Sequence, residues 1–138
     1  MPSMRKGKIL VVEDDDSIRQ LLMEFLKEHS GVEVAGARDG VDALHHVTTG
    51  HYDVVILDVM MPHMTGIDFL DSLQVLTSDG SGKHLDELPA VIVITSAAPE
   101  QIPTDAIQQR FSWIVRAVMR KPVNTRALAE FVDGLLHT

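Results

Sequence analysis

The chain reads as an α/β domain, a doubly wound sheet of five parallel strands with helices on both faces. Two observations predict this. Short β-rich apolar runs recur five times, at 9–12, 32–37, 54–57, 91–94 and 117–119. Each is followed by a longer segment whose apolar residues fall at helical spacing. Apolar strands alternating with helices build a parallel sheet that is buried on both sides. A third observation sets the domain count: no linker, repeat or low-complexity tract divides the 138 residues. A single domain is expected over 1–138, with its core at about 7–137, long enough to bury its own interior.

Residues 9–12 (ILVV) make the first strand, and Glu13, Asp14, Asp15 and Asp16 follow at once. Ile18, Leu21, Leu22, Phe25 and Leu26 then recur at i, i+3, i+4, i+7 and i+8, a one-sided helix. Ser17 with Gln20 offers a capping box, Asp15 or Asp16 an ordinary cap, and Gly31 ends the helix. The alternating stretch 32–37 is a second strand. Asp39 and Gly40 open a helix striped by Val41, Leu44 and Val47 and stopped at Gly50. Residues 54–57 (VVIL), bounded by Asp53 and Asp58, fit a buried strand better than a helix. Thr65 and Asp68 start the next helix, with Ile67, Leu70, Leu73 and Leu76 as its stripe. A polar, glycine-bearing surface loop is expected over 77–88. Pro89 leads into 91–94 (VIVI), which ends at Thr95 and Ser96. A fourth helix starting near Pro103 carries Ile107, Phe111 and Ile114, the thinnest stripe in the chain. The short strand 117–119 precedes Arg120, Lys121 and Pro122. Leu128, Phe131, Val132, Leu135 and Leu136 mark the last helix.

Composition narrows the function classes. There is no cysteine, which excludes a disulfide framework and a thiolate zinc site. The start, MPSMRKGKIL, is basic but carries no long apolar segment or small-residue cleavage site. No apolar run is long enough to span a bilayer. A soluble, cytoplasmic protein without membrane insertion is expected. The formal net charge of −8 argues against general nucleic-acid binding. That charge is uneven: 106–129 holds five cations (Arg110, Arg116, Arg120, Lys121 and Arg126) and no acid. Such a stretch is either a docking surface or the solvated face of two helices and their linker.

In a parallel sheet the C-terminal ends of all strands lie along one edge, where open α/β sheets place their chemistry. That edge collects Glu13 and Asp14 after the first strand, Asp58 after the third, Thr95 after the fourth and Lys121 after the fifth. Singly, each has an ordinary explanation: a helix cap, a strand end, a solvated lysine. Together they make a site. Three neighbouring carboxylates raise one another's pKa unless a cation intervenes. An all-oxygen set with sparse protein ligation suits Mg2+, which keeps several waters. Asp58 is then a nucleophile able to form an acyl phosphate. Lys121 and the Thr95 hydroxyl would stabilise phosphoryl oxygens.

The segments ILVVEDDD (9–16), ILDVMMP (56–62), VIVITSA (91–97) and RKPV (120–123) resemble the receiver domain of two-component response regulators. The match runs in order over essentially the whole chain, and the combination is specific. The resemblance implies the flavodoxin-like sheet order 2-1-3-4-5, for which a receiver domain is a standard example. It implies Asp58 as the phospho-acceptor, Glu13 and Asp14 as the acidic pair, Thr95 as the switch hydroxyl and Lys121 as the phosphate-pairing lysine. Met60 would lend its backbone carbonyl to Mg2+, and the Lys121–Pro122 bond would be cis. The phosphoryl donor would be a histidine kinase or a histidine phosphotransfer protein.

Several positions depart from the family pattern. Val118 stands where the family carries its switch aromatic, three residues before the lysine. The loop 77–88 is longer than usual and joins a helix to a strand at the edge away from the acids. The stretch 95–121 is also longer and lacks the usual Gly-Ala turn, which points to an altered fourth helix with Trp113 packing into the core near its end. His45, His46 and His51 lack a matching carboxylate or a metal spacing and read as solvated. His63 takes no role, and Met60, Met61 and Met64 form an apolar rim over the site.

The expected function is a stand-alone receiver that catalyses its own phosphorylation at Asp58 and is not otherwise an enzyme. It would signal to a downstream protein through the fourth helix, fifth strand and fifth helix, without direct DNA contact. Met60 and Ala97, two residues past Asp58 and Thr95, cannot orient a hydrolytic water, so slow self-dephosphorylation is expected. Two other readings use the same residues. A non-phosphorylated pseudo-receiver acting as a binding module is favoured by Val118 and opposed by the complete acid, threonine and lysine set. An aspartyl-phosphate phosphohydrolase would want a second acid two residues after the nucleophile, where Met60 stands.

Overall fold

A computed structural model describes residues 7–58, 66–78, 89–95 and 104–136. Strands and helices alternate: β1 (Lys8–Val12), α1 (Asp16–Ser30), β2 (Glu33–Ala37), α2 (Gly40–Thr49), β3 (Val54–Asp58), α3 (Gly66–Ser78), β4 (Ala90–Thr95), α4 (Thr104–Arg110), β5 (Val115–Arg120) and α5 (Thr125–Leu136). All strand pairs are parallel and the sheet order is β2-β1-β3-β4-β5, as expected. The order reverses between β1 and β3, so the switch point opens above the C-terminal ends of those two strands.

The apolar runs are unbroken because each central strand is covered on both sides. Successive side chains point to opposite faces. Leu10, Val12, Val55, Leu57, Val91 and Val93 enter one core, packed by α2 and α3 through Val47, Phe69 and Leu70. Ile9, Val11, Val54, Ile56, Ile92 and Ile94 enter the other, packed by α1 and α5 through Leu26, Leu128 and Val132. β2 and β5 are the edge strands and are only partly buried, which is why their runs are the least uniformly apolar.

The helix ends follow local chemistry. Asp15, rather than Ser17, caps α1, accepting from the Ile18 N–H at 2.9 Å. Gly31 closes it with φ +68°, a left-handed conformation that costs glycine least. Asp39 caps α2 by accepting from the Asp42 N–H at 2.8 Å.

Three expectations are corrected. α3 continues through Ser78, so the first two residues of the expected loop are helical, and 79–88 lie outside the described residues. α4 ends at Arg110, and Phe111 and Ile114 reach the core from a turn instead of a helical stripe. That turn closes through bonds from the Ile114 and Val115 N–H groups to the Phe111 carbonyl, at 3.0 and 2.8 Å. The Ile114 carbonyl then accepts the Val91 N–H at 3.0 Å, so β5 starts at Val115, ahead of its expected first residue, with a register shift opposite Val91/Ile92. Thirdly, the stripes are wider than the faces they cover: Leu21 is 63% exposed and Val41 56%. Periodicity registers an apolar residue whether or not the sheet reaches it. Trp113 does pack against the first core, as expected.

Candidate functional site

Each site residue stands where a strand leaves the sheet. Glu13 is the first residue past β1, and its N–H still donates to the Ala37 carbonyl at 3.0 Å, prolonging the β1–β2 ladder. Asp58 is the last residue of β3, in register with Ile94. Thr95 closes β4, and its carbonyl accepts the Lys121 N–H at 2.9 Å. That bond carries the β4–β5 ladder one residue beyond Arg120. The Lys121–Pro122 peptide bond is cis, as expected.

These backbone anchors bring the side chains together. Glu13 and Asp58 are each 3% exposed and Thr95 1%, while Asp14 is exposed. Lys121 Nζ donates to Asp58 Oδ2 at 3.0 Å and to Glu13 Oε1 at 3.3 Å. The second Glu13 oxygen accepts the Asp15 N–H at 3.1 Å. One ammonium therefore serves two buried carboxylates. Burial pushes the Glu13 carboxyl above its ordinary range, with the Asp58 charge adding to it; the Asp15 N–H and Lys121 pull the other way without prevailing. Burial also disfavours the Lys121 ammonium. The hydrogen bond and charge of Asp58, with those of Glu13, outweigh it and hold this lysine above its usual value. Both directions describe a cluster short of positive charge.

A hard dication fits that shortage. One oxygen from each of Glu13, Asp14 and Asp58 lies within 4.8 Å of the others, so the group could hold a metal ion. All three donors are oxygens, and the exposure of Asp14 leaves the cluster open to water. Glu13, Asp14, Asp58 and Lys121 are thus gathered at one point, with Thr95 buried at the same sheet edge. Met60, the expected carbonyl donor, lies outside the described residues, as do Met61, His63, Met64 and Ala97.

Away from the cluster, Val118 is partly buried against the first core, level with Val93, so an aliphatic side chain fills the position of the family's aromatic. The histidines need a correction. His46 Nδ1 lies 3.5 Å from an Asp42 carboxylate oxygen and His51 Nε2 3.4 Å from one of Asp53, so both have acidic neighbours close in sequence. Neither joins a candidate metal group among the described residues. Two features were missed from the sequence. Arg19 Nη1 donates to the Glu13 carbonyl at 2.8 Å; its spacing from Asp16 and Glu13 was the available signal. An apolar groove also opens beside the cluster, lined by Ile18, Leu21, Leu22, Ile94, Pro122 and Val123, with Glu13 and Lys121 reaching into it. The exposed half of the α1 stripe was its only sign.

Sheet order and acidic edge together define a flavodoxin-like α/β domain with a candidate metal centre. The family model for the response regulator receiver domain matches residues 9–133. The chain belongs to that family and is a receiver domain of the two-component response-regulator type. It is 30% identical over 128 residues to the chemotaxis protein CheY of Pseudomonas aeruginosa, covering 93% of this chain and 94% of that one. It is 41% identical over 93 residues to a protein-glutamate methylesterase/protein-glutamine glutaminase of Hydrogenovibrio crunogenus. That match takes in 67% of this chain but only 22% of the longer relative. Among solved structures, the Francisella response regulator 1452 receiver domain superposes with a TM-score of 0.76 at 26% identity, covering 96% of this chain and 98% of that one. The response regulator TrrA of Thermotoga maritima, solved in complex with Mg2+-BeF, gives 0.69 at 29% identity, covering 94% and 98%. No helix among the described residues is long and apolar enough to cross a membrane.

Proposed function

We propose that Asp58 accepts a phosphoryl group from a phosphohistidine donor, a histidine kinase or histidine phosphotransfer protein, with Mg2+ held by Glu13, Asp14 and Asp58. The observation that carries this reading is the Asp58 carboxylate, buried within the acid group and 3.0 Å from the Lys121 ammonium. In the transfer an Asp58 oxygen attacks phosphorus, the phosphorus–nitrogen bond to the donor imidazole breaks, and an acyl phosphate forms. The imidazole leaves with the bond's electron pair and takes its proton from the donor site or solvent. Lys121 stays charged throughout and offsets charge on the phosphoryl oxygens, with the Thr95 hydroxyl as a further donor. Bound Mg2+ supplies charge neutralisation at those oxygens and relieves carboxylate repulsion. The Mg2+-BeF complex of the TrrA relative supports the metal assignment by analogy.

The donor would approach over the apolar groove, which adjoins Glu13 and Lys121. Output would pass to a downstream protein through α4, β5 and α5, where Arg116, Arg120 and Arg126 are exposed. The chain aligns with 94% of the CheY relative's length, so the receiver reading takes in nearly the whole of that protein. Acetyl phosphate with Mg2+ tests the core of the proposal. The wild-type protein is expected to gain the mass of one phosphoryl group, and Asp58→Asn to gain none. A wild type that stays unmodified would favour the non-phosphorylated binding module. Once charged, the protein is expected to hold its phosphate well beyond seconds, since neither Met60 nor Ala97 can orient water. Decay followed by intact mass checks this, and a lifetime of seconds contradicts it.

A further inference from the structure

We infer that Arg19 is a positioning residue for the acidic cluster, acting through the backbone of Glu13; the inference rests on the metal-assisted reading of that cluster. Arg19 lies on α1 with its side chain only 17% exposed. Its Nη1 donates to the Glu13 carbonyl at 2.8 Å and its Nη2 to Asp16 Oδ1 at 2.5 Å. The guanidinium therefore spans the connection from β1 to α1, which carries both Glu13 and Asp14. The β1–β2 ladder ends with the Glu13 N–H on the Ala37 carbonyl, so the Glu13 carbonyl lies beyond it and is held by the arginine.

Gly36 makes room for this contact. A Cβ built on Gly36 would lie 3.1 Å from Arg19 Cδ, 3.4 Å from its Cγ and 2.7 Å from Met23 Sδ. The arginine stem thus crosses β2 in space that a side chain at this position would take. Gly36 pairs with Val11 on β1, two residues before Glu13. Glycine inside a strand is otherwise unfavourable and often marks a close approach. A glycine cradle and a largely buried planar donor converge on one carbonyl.

Groups behind a metal's ligands fix the ligands' orientation, and losing one weakens metal binding by about 10- to 100-fold. Charge alone predicts the opposite sign, because deleting a cation beside three carboxylates should tighten dication binding. The two roles can therefore be told apart. Mg2+ is titrated calorimetrically into wild type, Arg19→Ala, Arg19→Lys and Gly36→Ala, with thermal unfolding in EDTA to confirm that each folds. Both Arg19 variants are expected to bind Mg2+ about 10-fold more weakly, because lysine restores the charge but not the planar fork. Gly36→Ala should move the same way by a smaller factor. If Arg19→Ala fails to fold, Arg19→Lys and Gly36→Ala carry the result. Mg2+ affinity unchanged in the Arg19 variants, or tightened in Arg19→Ala and restored by lysine, overturns the inference and leaves the metal reading standing. A wild type that shows no Mg2+ binding overturns the metal reading and the inference with it.

Discussion

Lys121→Met is expected to lower stability in EDTA by about 3 kcal/mol, read as a fall in Tm of roughly 10 °C. Methionine keeps the packing of the lysine stem and deletes only its charged end. What remains is two carboxylates, Glu13 and Asp58, each 3% exposed and without the ammonium that both contact. Removing one partner of a buried ion cluster costs more than the pair is worth, because the other charges stay buried after losing its attraction. The pH dependence has a definite sign. The Glu13 carboxyl is raised in the folded protein, so the native state binds that proton more readily than the unfolded chain. Stability from this group is therefore complete below its unfolded value and is lost as pH rises through its raised folded value. Lys121 is also raised, so its contribution is complete at neutral pH and is lost only as pH climbs through its folded value. The loss in Lys121→Met should accordingly shrink as acidification protonates Glu13 and grow as pH rises through its raised folded value. Mg2+ in excess should restore part of it, since a ligand of the native state alone stabilises by mass action. Charging by acetyl phosphate should still fall by about 100-fold or more at saturating Mg2+. Melts that coincide with wild type in EDTA would make Lys121 a solvated bystander.

The stability effect and the catalytic effect come from the same cause, and that cause was largely legible in the sequence. β1, β3 and β4 are buried on both faces, so each had to be an unbroken apolar run, and the acid or hydroxyl ending each run stood out. Parallel topology then placed those ends on one edge without further information. Val115 and Arg116 were harder to read. They belong to β5 because the Ile114 carbonyl pairs with Val91 across the sheet, a contact between distant residues that no local pattern encodes. Arg19 gave only a weak local signal, its spacing from Asp16 and Glu13: an arginine on a helix reads as solvated until the β2 glycine beneath it is known. Leu21 shows the converse limit. Its spacing fits the α1 stripe, yet it stands over a groove instead of the sheet.

That misplacement makes Leu21 informative. Leu21→Asp is expected to slow phosphoryl transfer from a phosphohistidine protein by about 30-fold, while charging by acetyl phosphate stays within about two-fold of wild type. Leu21 is 63% exposed and Ile18 40%, so the substitution removes little packing from the fold. Both line a groove of about 560 Å³ that Pro122 and Val123 close from the other side. A small phosphodonor reaches Asp58 without covering this wall and gains nothing from it. On the proposed approach over this groove, a protein donor would lay part of its surface here and bury apolar area in doing so. A carboxylate at the centre of that contact would be desolvated without a partner, and hot-spot losses of about 2 kcal/mol correspond to the factor given. The measurement compares transfer from a panel of autophosphorylated histidine kinases with acetyl phosphate charging of the same variant. Equal slowing of both donors would mean that α1 disturbs the chemistry itself, through the Glu13–Asp16 connection it holds. Unimpaired transfer from the kinase that charges the wild type would move the donor off this face altogether, leaving the exposed α1 leucine without a partner.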